Sequence, residues 1–203
     1  SLNDTYTPVE VVTEAIDYAY DHGVIMVVAA GNIYGLWSYP ALYHPKVIVV
    51  AGLTGFGSLV TDWNHGSQVD FAEYGGVYST WLGGGYAGLA GTSMAAPIVC
   101  GIASRLLGND AGMTRDQVIA KMAAYSQQLP DGGTETGYGR IKGDELAASY
   151  VTGNTRYVDV NLGGKGRGVF EIQLIKKTNG DLQKKVLRSL YIDGRRYAIN
   201  REI

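Results

Sequence analysis

The chain opens on a helical period. Val9, Val12, Ile16, Ala19 and Tyr20 recur three or four residues apart and the run stops at Gly23, the spacing of one apolar helix face. Thr7, Pro8 and Glu10 read as its start: a threonine cap, a proline at the first helical position and a glutamate completing a capping box. The period then vanishes. "VIMVVAA" (24–30) and "KVIVVAGL" (46–53) are continuous apolar runs rich in β-branched residues, which predicts strands buried on both faces. A helix followed closely by such a strand predicts an α/β domain with a mainly parallel sheet. Residues 54–90 mix glycines with short alternating pieces and predict short strands and loops. A long apolar helix is expected from Ser93 to Leu107, stopped by Gly108. Thr114 and Gln117 form a capping box that opens another, running to about Gln128. "GYGRIKGDELAASY" (137–150) predicts a loop and a short closing helix.

After Tyr150 the pattern changes to alternation. "TRYVDVNL", "GVFEIQLIKK" and "KKVLRSLYIDGRRYAIN" place apolar and polar residues in turn, and Asp193-Gly194 is a hairpin signal. Two parts are therefore predicted: a main domain over 1–150 and a small antiparallel β appendage over 151–203. The charges of the appendage, such as Lys176-Lys177 and Arg195-Arg196, read as solvated strand faces or edge protection.

Composition narrows the function classes. The 203 residues suffice for one full domain and a small addition. The 29 glycines are about twice the usual share and predict tight turns or close backbone approaches. A formal net charge of −2 gives no electrostatic reason to expect nucleic acid or an anionic membrane as partner. The longest apolar run falls far short of the roughly 18 residues that span a bilayer. Cys100 is the sole cysteine, which excludes an internal disulfide, and its apolar neighbours predict core packing. No signal-peptide pattern is present, and the opening "SLNDTY" reads as if cut from something longer.

Candidate chemistry lies at two places where α/β folds put active sites. Gly31-Asn32 follows the carboxyl end of a buried strand, where ligands bind in open parallel sheets. Ser93 opens a helix, where unpaired N–H groups favour negative charge. A serine attacking a carbonyl makes an oxyanion, which needs donors already aimed at it. The Ser93 N–H and the Asn32 side-chain amide are two candidates. Pro97, four residues on, has no N–H to give the Ser93 carbonyl, which loosens the first turn beside the serine. On spacing alone, Thr92 or Ser93 acting only as a helix cap is the competing reading.

The segments "GTSMAAPIVCGIA" and "VIMVVAAGN" resemble the nucleophile and oxyanion-asparagine segments of the subtilisin-like serine proteases. "YPALYHPKVIVVAGL", "DWNHGSQVDFAEYG" and "TGYGRIKGDELAA" resemble the parts between and after them, in the same order, so the likeness covers roughly residues 1–150. It implies the C-terminal portion of a subtilisin-like three-layer catalytic domain, lacking its N-terminal part. Carried across, Ser93 would be the nucleophile and Asn32 the side-chain donor of the oxyanion hole. Ala29, Ala30 and Gly31 would form one wall of the substrate pocket, Ser1 and Leu2 would begin the other, and Thr92 would shape the approach of the serine. The pattern is Gly-x-Ser-x-Ala, which departs from the Gly-x-Ser-x-Gly elbow of α/β-hydrolases.

A serine hydroxyl needs a base, and the base an orienting carboxylate. The chain order of this family is Asp, His, Ser, so both partners should precede the asparagine segment, where this sequence has no room for them. His65-Gly66-Ser67 imitates the family's His-Gly-Thr motif only superficially, because it follows the asparagine segment at a position where the family has a surface turn. His22 sits at a helix end, His44 in a loop, and Asp70 at a family position that is structural. Asn3, Tyr74 and Ile98 replace the usual glycine, proline and histidine. No cluster of acidic residues marks a calcium site, although the family often binds calcium, and no other cofactor is identifiable. The resemblance thus implies a secreted serine endopeptidase acting on peptide or protein, with the triad Asp and His supplied by an upstream segment or a separate chain. The chain alone is then expected to be inactive. The alternative is a catalytically inactive protease-fold module serving as a structural or binding part of a larger assembly.

Overall fold

The computed structural model describes residues 10–37, 39–130, 134–144, 146, 155–161, 167–176, 182–192 and 195–203. Thr7, Pro8 and the Asp193-Gly194 turn lie outside them, as does most of the predicted closing helix. Helix α1, Glu10–Asp21, ends where Gly23 takes a φ of +75°, a left-handed conformation that costs glycine little. The sheet that follows is parallel throughout: β1 (Val27–Ala29), β2 (Ile48–Leu53) and β3 (Phe71–Tyr74), in that spatial order. All six residues of β2 are buried. Val47, Val49, Ala51 and Leu53 share one apolar cluster with Ile16 of α1. Gly52 faces the other way, against the Trp63 ring and the Thr92 methyl group, as the two-residue period of a strand requires.

The apolar run 24–30 predicts a strand buried on both faces, and here the structure differs. Only 27–29 form β1, and of those three only Ala29 is buried. Among the described residues β1 pairs with β2 alone, so it is an edge and its valines keep partial exposure.

Strands β4 (Gly76–Thr80) and β5 (Tyr86–Ala90) make an antiparallel hairpin whose tip turns through left-handed Gly83 and Gly84. It delivers the chain to α2, Thr92–Asn109, which runs on past Gly108. Ala95, Val99 and Ala103 form its buried stripe. Cys100 is exposed, contrary to the core position its neighbours predict. One residue beyond Val99 is a turn of about 100° around the axis, which carries the thiol off the stripe. Helix α3, Arg115–Ala124, has the predicted Thr114–Gln117 capping box in full. It ends before Gln128 because 126–127 pair as β6 with β7 (Arg140–Ile141).

The last strands, β8 (Thr155–Asn161), β9 (Arg167–Lys176), β10 (Leu182–Ile192) and β11 (Arg195–Glu202), form an antiparallel sheet ordered β11-β10-β9-β8. The chain divides into two compact units, Ser1–Ser104 with Ser126–Ile141, and Arg105–Tyr125 with Lys142–Ile203. The first holds the parallel sheet and the second holds α3 and the antiparallel sheet. This is the α/β architecture with a small β appendage that the sequence pattern predicts. Among the described residues no helix is long and apolar enough to cross a membrane.

Candidate functional site

The chain leaves β1 through Ala30, whose N–H still bonds Val50 on β2 at 2.9 Å, and turns at Gly31. Asn32 follows and is exposed. Some sixty residues later β5 ends at Ala90, Gly91 links it to the next element, and Thr92 starts α2 fully buried. These two turns meet. The Gly31 N–H donates to the Thr92 hydroxyl oxygen at 3.0 Å. Both the Thr92 N–H and its hydroxyl donate to Asn32 Oδ1, each at 2.9 Å. An amide whose oxygen is held this way must present its NH₂ end elsewhere. It is turned to Gly91, where an added Cβ would lie 2.8 Å from Asn32 Nδ2. Space, together with a φ of +159°, calls for glycine at 91.

Ser93 follows at once, half-buried in the first turn of α2. Of the expected site residues, Ala29, Ala30, Gly31, Asn32, Thr92 and Ser93 come from the ends of β1 and β5 and the start of α2. Ser1 and Leu2 lie outside the described residues. Chemically, the arrangement offers a hydroxyl at a helix N-terminus and, pinned to the residue before it, the Asn32 carboxamide, groups of the kind that acyl transfer uses as nucleophile and oxyanion donor.

Each of the three histidines has a partner of its own. His22 bonds the Tyr18 carbonyl through Nδ1 at 2.7 Å and stacks on the Tyr18 ring. His44 Nε2 lies 3.3 Å from Asp70 Oδ1, while the other Asp70 oxygen accepts the Val49 N–H at 2.8 Å. His65 Nδ1 lies 2.9 Å from Glu135 Oε2, and its ring stacks on Tyr34. Among the described residues no three His, Cys, Asp or Glu side chains converge to hold a metal ion.

Two neighbours of the site are not evident from motifs. Trp63 lies flat over Gly52 and Gly75, at both of which a Cβ would stand 2.3 Å from its ring. The signal was the glycine inside the otherwise apolar run 46–53, since glycine within a strand marks a close approach. Asn64 is buried and bonds the carbonyls of Ala30 and Leu36, both at 2.8 Å. Nothing in its local sequence announces this.

Residues 2–140 match the model of the subtilase family. The chain belongs to the subtilase family. It is 34% identical over 130 residues to thermitase of Thermoactinomyces vulgaris, a match covering 63% of this chain and 46% of thermitase. It is also 34% identical over 129 residues to a halolysin-like extracellular serine protease of Natrialba magadii, covering 63% of this chain and 24% of that protein. A solved protease structure from Pseudoalteromonas arctica superposes with a TM-score of 0.65 at 26% identity, over 73% of this chain and 49% of that one. This subtilase chain thus spans less than half the length of these relatives, in a partial subtilase-like arrangement.

Proposed function

We propose that this chain is a subtilase-fold module, catalytically silent by itself, that serves as a structural or binding part of a larger assembly. The engagement of its histidines carries this reading. His44 and His65 are bound to Asp70 and Glu135, and His22 to a backbone carbonyl, so each already has a partner other than the Ser93 hydroxyl that a base must reach.

A second reading is favoured by the Asn32–Thr92 geometry, which a purely structural module has no need of. In that assembly the chain supplies Ser93 and Asn32 to a serine endopeptidase, and an upstream segment or a separate chain supplies the Asp and His. The histidine would take the Ser93 proton as Oγ attacks the peptide carbonyl. The oxyanion would lie between the Ser93 N–H and Asn32 Nδ2, the amine would leave with the proton, and water would release the acyl group. Ala29, Ala30 and Gly31, with Ser1 and Leu2, would flank an extended peptide substrate. A secreted location, as in the extracellular relative from Natrialba magadii, belongs to this reading.

A fluorophosphonate probe separates the two. The chain alone should label poorly at Ser93. Efficient labelling of the chain alone overturns the first reading. Labelling that rises only after co-expression with the upstream segment supports the second.

A further inference from the structure

We infer that Asn64 is a positioning residue for the Asn32 amide, stapling from inside the loop that carries it. The inference rests on the second reading above for its catalytic meaning, and on geometry alone for its mechanical one.

The loop leaves β1 at Ala30 and has turned back by Leu36, with a bond from the Leu36 N–H to the Ile33 carbonyl at 3.0 Å. Asn64 ties both ends of it. Its Nδ2 donates to the Ala30 carbonyl and to the Leu36 carbonyl, both at 2.8 Å, and its backbone N–H donates to the Gly31 carbonyl at 2.9 Å. Two residues earlier, the Asp62 carbonyl accepts the Tyr34 N–H at 3.0 Å. One short segment, 62–64, thus holds residues 30, 31, 34 and 36, and Asn32 lies between them.

Two details mark this as more than packing. Both side-chain acceptors are carbonyl oxygens, so only the NH₂ end of Asn64 can face them, and the amide cannot be turned over. Its Oδ1 is left buried without a hydrogen-bond partner. A side chain present only to fill space would be apolar and leave no such orphan. Gly31 completes the device. Its φ is +106°, and a Cβ there would stand 2.8 Å from Asn64 Nδ2, so the close approach of the staple requires glycine.

Asn32 is consequently fixed from two sides: Asn64 holds its backbone path, and Thr92 holds its side-chain oxygen. Preorganised donors stabilise charge because they need not move when it develops. An oxyanion exists only after attack, so loosening the staple should lower turnover, and this loss should depend on the Asn32 amide being present.

The test is a double-mutant cycle in the assembled protease. Asn64→Ala and Asn64→Ser should each lower kcat about tenfold or more, and by less than about twofold in an Asn32→Ala background. An equal fall in both backgrounds, or a change confined to KM, overturns the inference. A measurement on the chain alone keeps this apart from whether it is a protease at all. In ¹⁵N-edited NMR spectra the Asn32 side-chain NH₂ pair should be sharp, and Asn64→Ser should shift or broaden it. Unchanged Asn32 NH₂ signals overturn the staple whatever the fate of the enzyme reading. If the Asn64 variants fail to fold, Gly31→Ala presses on the same contact with Asn64 intact and must perturb the same signals.

Discussion

Thr92 grips one atom of Asn32 twice: its N–H and its hydroxyl both donate to Oδ1 at 2.9 Å, while the same hydroxyl accepts the Gly31 N–H. The helix start and the strand end are therefore locked to each other before any substrate arrives. In Thr92→Val the buried Gly31 N–H loses its acceptor and Asn32 Oδ1 loses one of its donors. We predict a loss of about 1–3 kcal/mol in denaturant-induced unfolding. Thr92→Ser keeps all three bonds and should cost no more than about 1 kcal/mol, the worth of a buried methyl group. Equal losses in the two variants would assign the threonine to packing alone.

The amide end of Asn32 is turned to Gly91, whose missing side chain leaves it room. Gly91→Ala puts a Cβ into that space and should displace the amide. If the assembled protein is a protease, its turnover should fall towards the roughly 10²–10³-fold loss that removing one such donor causes in a subtilisin. The same variant on an Asn32→Ala background should lose much less. Full turnover in Gly91→Ala would show that the amide tolerates the crowding and that its position is not critical.

The pieces of this geometry differ in how far local sequence betrays them. The helix of Ile16, the central strand, the capping box of Thr114 and the alternating appendage follow from short-range periodicity and cap chemistry, and their existence was readable. The Gly-Thr-Ser and Ala-Ala-Gly-Asn segments carry a family likeness that is local too. What was not readable depends on tertiary neighbours. The run 24–30 is as apolar as 46–53, yet only 27–29 are strand, and among the described residues β1 has one strand neighbour where β2 has two. Cys100 has an apolar local context and still faces outward, since one position along a helix changes the face. Asn64 makes its contacts 28 and 34 residues back along the chain, beyond any local pattern.

Trp63 offers a cleaner packing test than Ser93 or Asn32. A Cβ at Gly52 would stand 2.3 Å from its ring, too close for any side chain unless the indole moves. Gly52→Ala should destabilise by about 1–3 kcal/mol through overpacking. Trp63→Ala should destabilise by about 3 kcal/mol through the cavity it leaves. The double variant should be more stable than the sum of the single losses predicts, because the alanine at 52 no longer meets the ring. Additive losses in thermal or urea unfolding would place the indole elsewhere in solution.

Glu73 sets a pH dependence whose sign can be fixed in advance. Its carboxyl is buried at the end region of β3, and burial pushes its pKa above the ordinary 4.5. The N–H groups of Tyr74 and Ile141 and the Arg140 charge oppose this only in part. Between the unfolded and the folded pKa the unfolded chain has released its proton and the native one still holds it. Fewer protons bound in the unfolded state means that stability falls as pH rises through that window, and levels off above the folded pKa. Below 4.5 both states are protonated and the penalty is absent. Glu73→Gln removes the ionisation, so its stability should be flatter with pH and its margin over the parent should be largest at neutral pH. Unfolding curves taken at intervals from pH 4 to pH 8 read this directly. A parent protein that instead gains stability over the same range relative to Glu73→Gln would mean that the Arg140 charge, rather than burial, governs the carboxylate.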